Sequence, residues 1–247
     1  MIQDVWTVMW KEWHEYAAGA GSGRGRGLVG VLIIIGVVSF LLPFQFVRKG
    51  QSWVDSPLPV LINGVYLPFT ILLNMIADSF AGERERHTLE TLLASRLSDR
   101  AILLGKVGAA AAYGWVLGMV GAVVQFLVAT AAGGSGFYPA GTVVAIVVLG
   151  LLFSLLAASA GCLISLRTAT ARQAQQIMGI GFMVLIFVPI IAIQLLPSGT
   201  QAQILHWLNT TSPGTIFALL VAVLIVLDAI LLGIARLRFQ RAELIGS

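Results

Sequence analysis

The sequence predicts an all-α membrane protein that crosses the bilayer several times as a single domain of residues 1–247. Of its 247 residues, 58% are hydrophobic and only 11% are charged, and a soluble domain of this size could not bury so much apolar surface. The apolar residues form long runs, and several runs reach the roughly twenty residues that a helix needs to cross a bilayer. The charged residues fall mainly in short segments between these runs.

Residues 1–18 predict a helix that lies on the membrane surface. Their apolar side chains recur with helical spacing and share one face; they are Ile2, Val5, Trp6, Met9, Trp13, Tyr16 and Ala17. Three of the six tryptophans of the chain lie in this segment, and tryptophan favours the headgroup region of a bilayer. The alternative is a soluble helix that packs on a partner.

Six apolar runs follow, and each is long enough for a transmembrane helix. They are Leu28–Val47, Leu58–Ala77, Val107–Ala132, Gly141–Leu166, Ile177–Leu196 and Thr215–Ala235. The connections on one side of the predicted bundle, 48–57, 133–140 and 197–214, are too short to hold a folded domain. The last of them could form either a short amphipathic helix or a re-entrant hairpin.

The positions of lysine and arginine predict the orientation of the chain. Thirteen of the fifteen lie in the N-terminal region, in segments 82–106 and 167–172 and in the C-terminal tail, whereas only Arg48 and Lys49 lie on the other side. The positive-inside rule places the thirteen in the cytoplasm. We therefore expect a multi-pass protein of the cell (inner or cytoplasmic) membrane with both termini cytoplasmic. This arrangement accounts for the basic composition, so we expect no nucleic acid as a partner.

Motifs for catalysis are missing from the sequence. A phosphate-binding P-loop needs glycine five residues before its Gly-Lys pair and serine or threonine after it. Around Gly105 and Lys106 these positions hold Arg100 and Val107. The three histidines lie in different regions without metal-binding spacing, and no GxSxG nucleophile elbow occurs. We therefore predict that the chain is not an enzyme and holds no cofactor or metal of its own.

Three polar residues inside the predicted spans are candidates for a substrate path: Asn74, Gln125 and Asp228. A carboxylate in lipid is costly unless it is paired, protonated or facing water, so Asp228 is either a functional group or the structural partner of an arginine at the cytoplasmic end of its span. For Asn74 and Gln125 the alternative is a hydrogen bond between helices. Gly114 and Gly118 form a GxxxG pattern, which predicts close helix packing.

A charged segment, residues 82–106, follows the second predicted span and reads GERERHTLETLLASRLSDRAILLGK. On a helix, its leucines at positions 89, 92, 93 and 97 share one face, while charged residues such as Glu83, Arg84 and Glu85 can stay solvated. Such a segment could lie at the membrane surface and present a structured face to another protein. The alternative is a solvated loop whose charges only set the topology.

This charged segment resembles the first cytoplasmic loop of ABC-2 type permeases, the membrane subunits of ABC exporters. The matching residues are Gly82-Glu83-Arg84-Glu85, Thr88-Leu89-Glu90, Leu92-Leu93 and Gly105-Lys106. The wider resemblance covers nearly the whole chain and implies the type V exporter-like transmembrane fold, with an N-terminal interfacial helix, six spans and a small second cytoplasmic loop. Arg96 stands where the family usually has proline, so the loop is expected to bend differently there.

The resemblance implies that residues 82–106 hold a coupling helix that docks on a separate ATP-binding subunit. The residues carried over as that interface are Gly82, Glu83, Arg84, Glu85, Thr88, Leu89, Glu90, Leu92 and Leu93. An apolar leucine face would anchor the contact, and charges at its rim would set the register. Arg167 and Arg172 mark a smaller second contact. ATP and magnesium would belong to two copies of the ATP-binding subunit, and two permease subunits, as a homodimer or a heterodimer, would form the path.

The sequence supports two classes of function, and it gives weaker support to a third. The first is the permease half of an ATP-driven exporter for an amphipathic, drug-like or lipid-like molecule, since no outer domain is predicted that would capture a soluble one. The second is a membrane subunit that does not transport but anchors a cytoplasmic partner. The third is a stand-alone ion- or proton-coupled carrier that uses Asp228.

Overall fold

Helices make up nearly all of the computed structural model, which describes residues 2–18, 25–87, 96–134 and 136–239. The helices are α1 (Ile2–Ala18), α2 (Gly25–Arg48), α3 (Leu58–Glu85), α4 (Asp99–Ala131), α5 (Ala140–Arg167), α6 (Ala171–Leu195), α7 (Ser198–Thr210) and α8 (Pro213–Arg238). No β-strand occurs in these four described ranges. The all-α class is confirmed.

Four of these helices, α3, α4, α5 and α8, are long and apolar enough to cross a membrane, so the chain is a multi-pass membrane protein. Helix α2 covers the first predicted span and extends beyond it at both ends. Helix α6 begins before the fifth predicted span and ends at Leu195, one residue before the predicted end of that span. A total of six spans stays a prediction, as does the type V arrangement. Helix α7 forms where the sequence predicted a short helix before the last span.

Helix α3 continues past the predicted end of the second span at Ala77. It contains two π-turns, Ile62–Tyr66 and Asp78–Gly82, and ends at Glu85. A π-turn shifts the backbone hydrogen bonds of a helix by one residue and needs outside partners. At the second π-turn, the Ser165 hydroxyl of α5 accepts hydrogen bonds from the N–H groups of Phe80 (3.2 Å) and Ala81 (2.9 Å) and donates to the Ala77 carbonyl (3.0 Å). The first residues of the predicted loop are therefore the last turn of a membrane helix.

Helix α4 begins eight residues before the predicted third span. The Ser98 side chain caps it, because its Oγ accepts a hydrogen bond from the Ala101 N–H at 3.3 Å, and Asp99 adds negative charge to the first turn. The predicted charged loop is thus helical from residue 99 to 106. Between the two helices only residues 86–98 remain, and 88–95 lie outside the described part of the chain.

Helices α3, α4 and α5 form the centre of the bundle, and glycines on α4 let α3 approach closely. A Cβ at Gly118 would lie 2.9 Å from the Asn63 carbonyl oxygen, and one at Gly114 would lie 2.8 Å from Leu72 Cγ. Real Cβ atoms do not come so close to backbone oxygens, so only glycine fits at position 118. The GxxxG pattern therefore serves helix packing, as predicted.

Candidate functional site

Helix α1 packs against the first turns of α4, at the charged end of the bundle. Gly105 makes this contact possible, because a Cβ there would lie 2.5 Å from Val8 Cβ. One turn along, Gly108 faces Met9, whose Sδ would lie 3.3 Å from an added Cβ. Trp6 and Trp10 lie on the opposite side of α1 and are 63% and 58% exposed. These exposed rings agree with a helix at the membrane surface, which stays a prediction.

Lys106 follows Gly105 and carries the centre of a buried charge cluster, which we call the Lys106 cluster. Its Nζ donates to Glu12 Oε1 of α1 at 2.8 Å, to Glu83 Oε1 of α3 at 3.0 Å and to the Ser79 carbonyl at 3.1 Å. These three acceptors use all three hydrogens of the ammonium group. The same nitrogen lies 5.2 Å from the centre of the Phe80 ring, within range of a cation–π contact.

The Lys106 cluster is buried and close to electrically neutral. The side chains of Lys106, Glu12 and Glu83 are 2%, 4% and 10% exposed. Lys11, which is half exposed, brings a second positive charge to within 3.8 Å of Glu12 and 3.9 Å of Glu83. Buried charges are tolerated only when they are paired and hydrogen-bonded. The cluster therefore joins α1, α3 and α4. Separation of any one of these helices would leave a buried charge unpaired, which is strongly destabilising.

Arg84 and Glu85 connect the end of α3 to the turn between α5 and α6. Arg84 donates from Nη1 to the Thr168 carbonyl at 2.7 Å and from Nη2 to the Leu166 carbonyl at 3.1 Å, which places a cation at the negative end of the α5 dipole. Glu85 Oε1 accepts from the Ala171 N–H at 3.1 Å, which places an anion at the positive end of α6. One guanidinium and one carboxylate thus complement two helix termini.

The structure describes four of the nine predicted interface residues: Gly82, Glu83, Arg84 and Glu85. Gly82 and Glu83 are buried inside the chain, contrary to the expectation of solvated charges, because Lys106 and the Ser165-capped π-turn hold them there. Thr88, Leu89, Glu90, Leu92 and Leu93 lie outside the described residues. Arg167 and Arg172 are exposed on either side of the turn that Arg84 and Glu85 bind. The end of α3 and the second predicted contact therefore lie side by side.

Of the three predicted path residues, the structure describes the side chains of Gln125 and Asp228. Gln125 is fully buried, and its Oε1 accepts a hydrogen bond from Asn63 Nδ2 at 2.7 Å, so it joins α4 to the first π-turn of α3. Asn74 lies in α3, and its side chain is outside the described residues. Asp228 is 4% exposed, and neither of its oxygens has a hydrogen-bond partner in the described part of the chain. In the described part of the chain, Asp228 is therefore not paired with Arg236 or Arg238 of α8.

Sequence reasoning missed Glu12, Ser165 and Asn63. Glu12 lies outside the apolar face predicted for residues 1–18. Its partner is 94 positions away in the chain, those of Ser165 are 84 to 88 positions away, and that of Asn63 is 62 positions away. One signal was present: Lys106 lies in an apolar stretch, and a lysine in such a place needs a buried carboxylate. Neither that signal nor helical spacing identifies which carboxylate it is.

A family model described as ABC-2 family transporter protein matches residues 58–235. The match covers well over half of the chain, begins at the first residue of α3 and ends within α8. It therefore includes Glu83, Arg84, Glu85 and Lys106, although not Glu12. No curated protein and no solved structure matches the chain.

Proposed function

The chain belongs to the ABC-2 transporter family and is a permease subunit of an ABC transporter, and we propose that it forms the membrane half of an exporter driven by a separate ATP-binding subunit. The resemblance of residues 82–106 to a coupling segment supports the ATPase partner. A second permease subunit, of the same or another kind, would complete the path, and two ATP-binding subunits would supply ATP and magnesium.

The observation that carries this proposal is the set of polar contacts at the end of α3. Glu83 binds Lys106 of α4 and, through it, Glu12 of α1, while Arg84 and Glu85 bind the termini of α5 and α6. A displacement of the segment that follows Glu85 would therefore act on five helices together. Coupling between sites is carried by contiguous networks of this kind. A loop that only set the topology would need none of these contacts.

In the proposed mechanism the two halves of the charged segment have different roles. The leucines at 89, 92 and 93 bind the ATP-binding subunit, with Thr88 and Glu90 at the rim. Gly82 and Glu83 are buried, so they transmit the movement within the chain and do not contact the partner. Exposed Arg167 and Arg172 lie next to this segment and can meet the partner directly.

The substrate that we propose is amphipathic, drug-like or lipid-like. The segments that join α2 to α3 and α4 to α5 are about ten residues or fewer, which is too short for a domain that captures a soluble molecule. An amphipathic molecule needs no such domain, because it can enter from the bilayer. Export rather than import is likewise supported by the family resemblance.

The test is affinity purification of the tagged protein from its native membranes in mild detergent. Wild type is compared with Leu89→Asp/Leu92→Asp, with Glu83→Gln, and with Arg96→Gln, which changes an exposed charge in the same segment. We expect an ATPase with a Walker A motif to be recovered with wild type, with Arg96→Gln and with Glu83→Gln, and to be lost with the leucine variant.

Two results would contradict parts of the proposal. If folded wild-type protein recovers no ATPase, the exporter assignment fails, and either a membrane anchor for another partner or a stand-alone carrier using Asp228 takes its place. If Glu83→Gln loses the ATPase as fully as the leucine variant while keeping its helix content, then Glu83 contacts the partner directly and the division of roles is wrong.

A further inference from the structure

An apolar groove runs between α2 and α4 at the end of the bundle that lies away from the Lys106 cluster. It is lined by Phe40 and Phe44 of α2 and by Val124, Leu127 and Ala131 of α4. From Phe40 to the end of α2 at Arg48 the helix rises about 12 Å. The groove opens toward the outside of the bundle, where a membrane protein meets lipid.

One cation lies over the lining of this groove, and a second follows it in the chain. Arg48 is the last residue of α2, and its guanidinium lies 5.3 Å from the centre of the Phe44 ring. Lys49 is the next residue. Both residues are exposed, and within the described residues neither is paired with a carboxylate. The nearest acidic residue in sequence, Asp55, instead accepts a hydrogen bond from Ser52 at 2.7 Å.

The two cations are not needed to cap the C-terminus of α2. Backbone N–H groups of the following turn donate to the last carbonyls of α2: Lys49 to Gln45 at 3.2 Å, Gly50 to Val47 at 2.9 Å and Gln51 to Phe46 at 3.0 Å. Basic side chains near a helix C-terminus often perform this function themselves. Here the backbone N–H groups of the turn already bind these carbonyls, so both basic side chains are available to a ligand.

We propose that this groove binds an anionic phospholipid from the leaflet on the Arg48 side of the membrane. Its phosphate lies between Arg48 and Lys49, and one acyl chain lies along Phe44 and Leu127. An apolar groove with one cation over its lining and a second cation next to it in the chain, neither paired with a carboxylate, has the charge and polarity pattern of such a lipid. The connections α4–α5 and α6–α8 at the same end contain no lysine or arginine, so the charge is confined to this position. The inference rests on membrane insertion alone and is independent of the exporter proposal.

The test is a titration of the purified full-length protein with dioleoyl phosphatidylglycerol and with dioleoyl phosphatidylcholine, read by native mass spectrometry. Wild type is compared with Arg48→Ala/Lys49→Ala and with Arg236→Ala/Arg238→Ala, which removes the same charge from exposed residues at the opposite end. We expect the first variant to bind phosphatidylglycerol roughly 10- to 30-fold more weakly and the second to change less than about threefold. Phosphatidylcholine should bind all three proteins alike.

A third variant, Ala131→Phe, fills the groove without changing charge and should weaken phosphatidylglycerol binding as well. Equal phosphatidylglycerol affinity in wild type and in the Arg48/Lys49 variant would overturn the proposal. So would unchanged binding in Ala131→Phe, or full competition by millimolar glycerol phosphate, because either result would describe a phosphate site that does not use the groove. Circular dichroism of each variant verifies that the helices are retained.

Discussion

The replacement Lys106→Met tests the central contact of the molecule. It keeps an unbranched side chain of similar length but removes the ammonium group that donates to Glu12, Glu83 and the Ser79 carbonyl. Two buried carboxylates are then left near each other without their shared cation. Removing one partner of a buried ion pair costs about 3–5 kcal/mol. For a chain of this length we expect the midpoint of thermal unfolding to fall by roughly 6–20 °C.

The assay is thermal unfolding of the purified protein in detergent, followed by circular dichroism. The matched control is Lys11→Met, which removes a half-exposed lysine that lies 3.8 Å from Glu12 and 3.9 Å from Glu83. Because solvent screens this contact, its loss should cost about 1 kcal/mol or less. A triple variant, Lys106→Met with Glu12→Gln and Glu83→Gln, removes all three charges and should recover a large part of the lost stability.

Two outcomes would refute the reasoning. If Lys106→Met unfolds at the same temperature as Lys11→Met, the carboxylates are hydrated or neutral and the cluster does not hold the helices together. If the triple variant is as unstable as Lys106→Met alone, the loss comes from packing around the lysine stem and not from unpaired charge.

Two further predictions concern helix contacts. Gly105→Val should displace α1 from α4, because even a Cβ there would lie 2.5 Å from Val8 Cβ; protease cleavage near the N-terminus should become faster, whereas Gly30→Val, at a glycine with open space around it, should leave it unchanged. Asn63→Leu and Gln125→Leu should each lower the unfolding temperature, and the double variant should lower it by less than the sum, with a coupling of about 0.5–1.5 kcal/mol. Strict additivity would show that the 2.7 Å contact between them contributes nothing.

The sequence predicted the helical class and the positions of the helices because apolar length and periodicity depend on local composition. The orientation that the charge distribution indicates stays a prediction. Gly82, Glu83, Gly105 and Lys106 were also found as members of one motif. The contacts among these four residues were not predictable, because a sequence motif gives only positions along the chain and does not show which residues are in contact. The structure shows that Glu83 and Lys106 are partners across two helices.

The helix ends were predicted less well, and each error has a tertiary cause. Helix α3 runs to Glu85 because Ser165 of α5 supplies hydrogen bonds to its second π-turn. Glu12 is buried because Gly105 lets α1 approach until Glu12 Oε1 reaches Lys106 Nζ. A charged residue on the polar side of a helix is normally solvated. Glu12 is buried instead because it pairs with Lys106, which lies 94 positions away in the chain.

Asp228 provides the last prediction, which separates a structural from a functional carboxylate. It is 4% exposed in α8, and neither oxygen has a hydrogen-bond partner in the described residues. An unsatisfied buried polar group costs about 1–3 kcal/mol, so Asp228→Leu should stabilise the isolated subunit and raise its unfolding temperature by several degrees. The matched control Asn63→Leu removes a buried polar side chain that is paired, and it should do the opposite.

The two outcomes for Asp228 have different meanings. A rise in the unfolding temperature would show that the carboxylate is held at a cost to the fold, and such residues are typical of substrate or proton paths in membranes. A fall of several degrees would mean that Asp228 has a partner in the detergent-solubilised protein, such as the C-terminal residues or a second subunit. The expectation of an unpaired carboxylate would then be wrong, and the place to search for its partner would be the surface of α8.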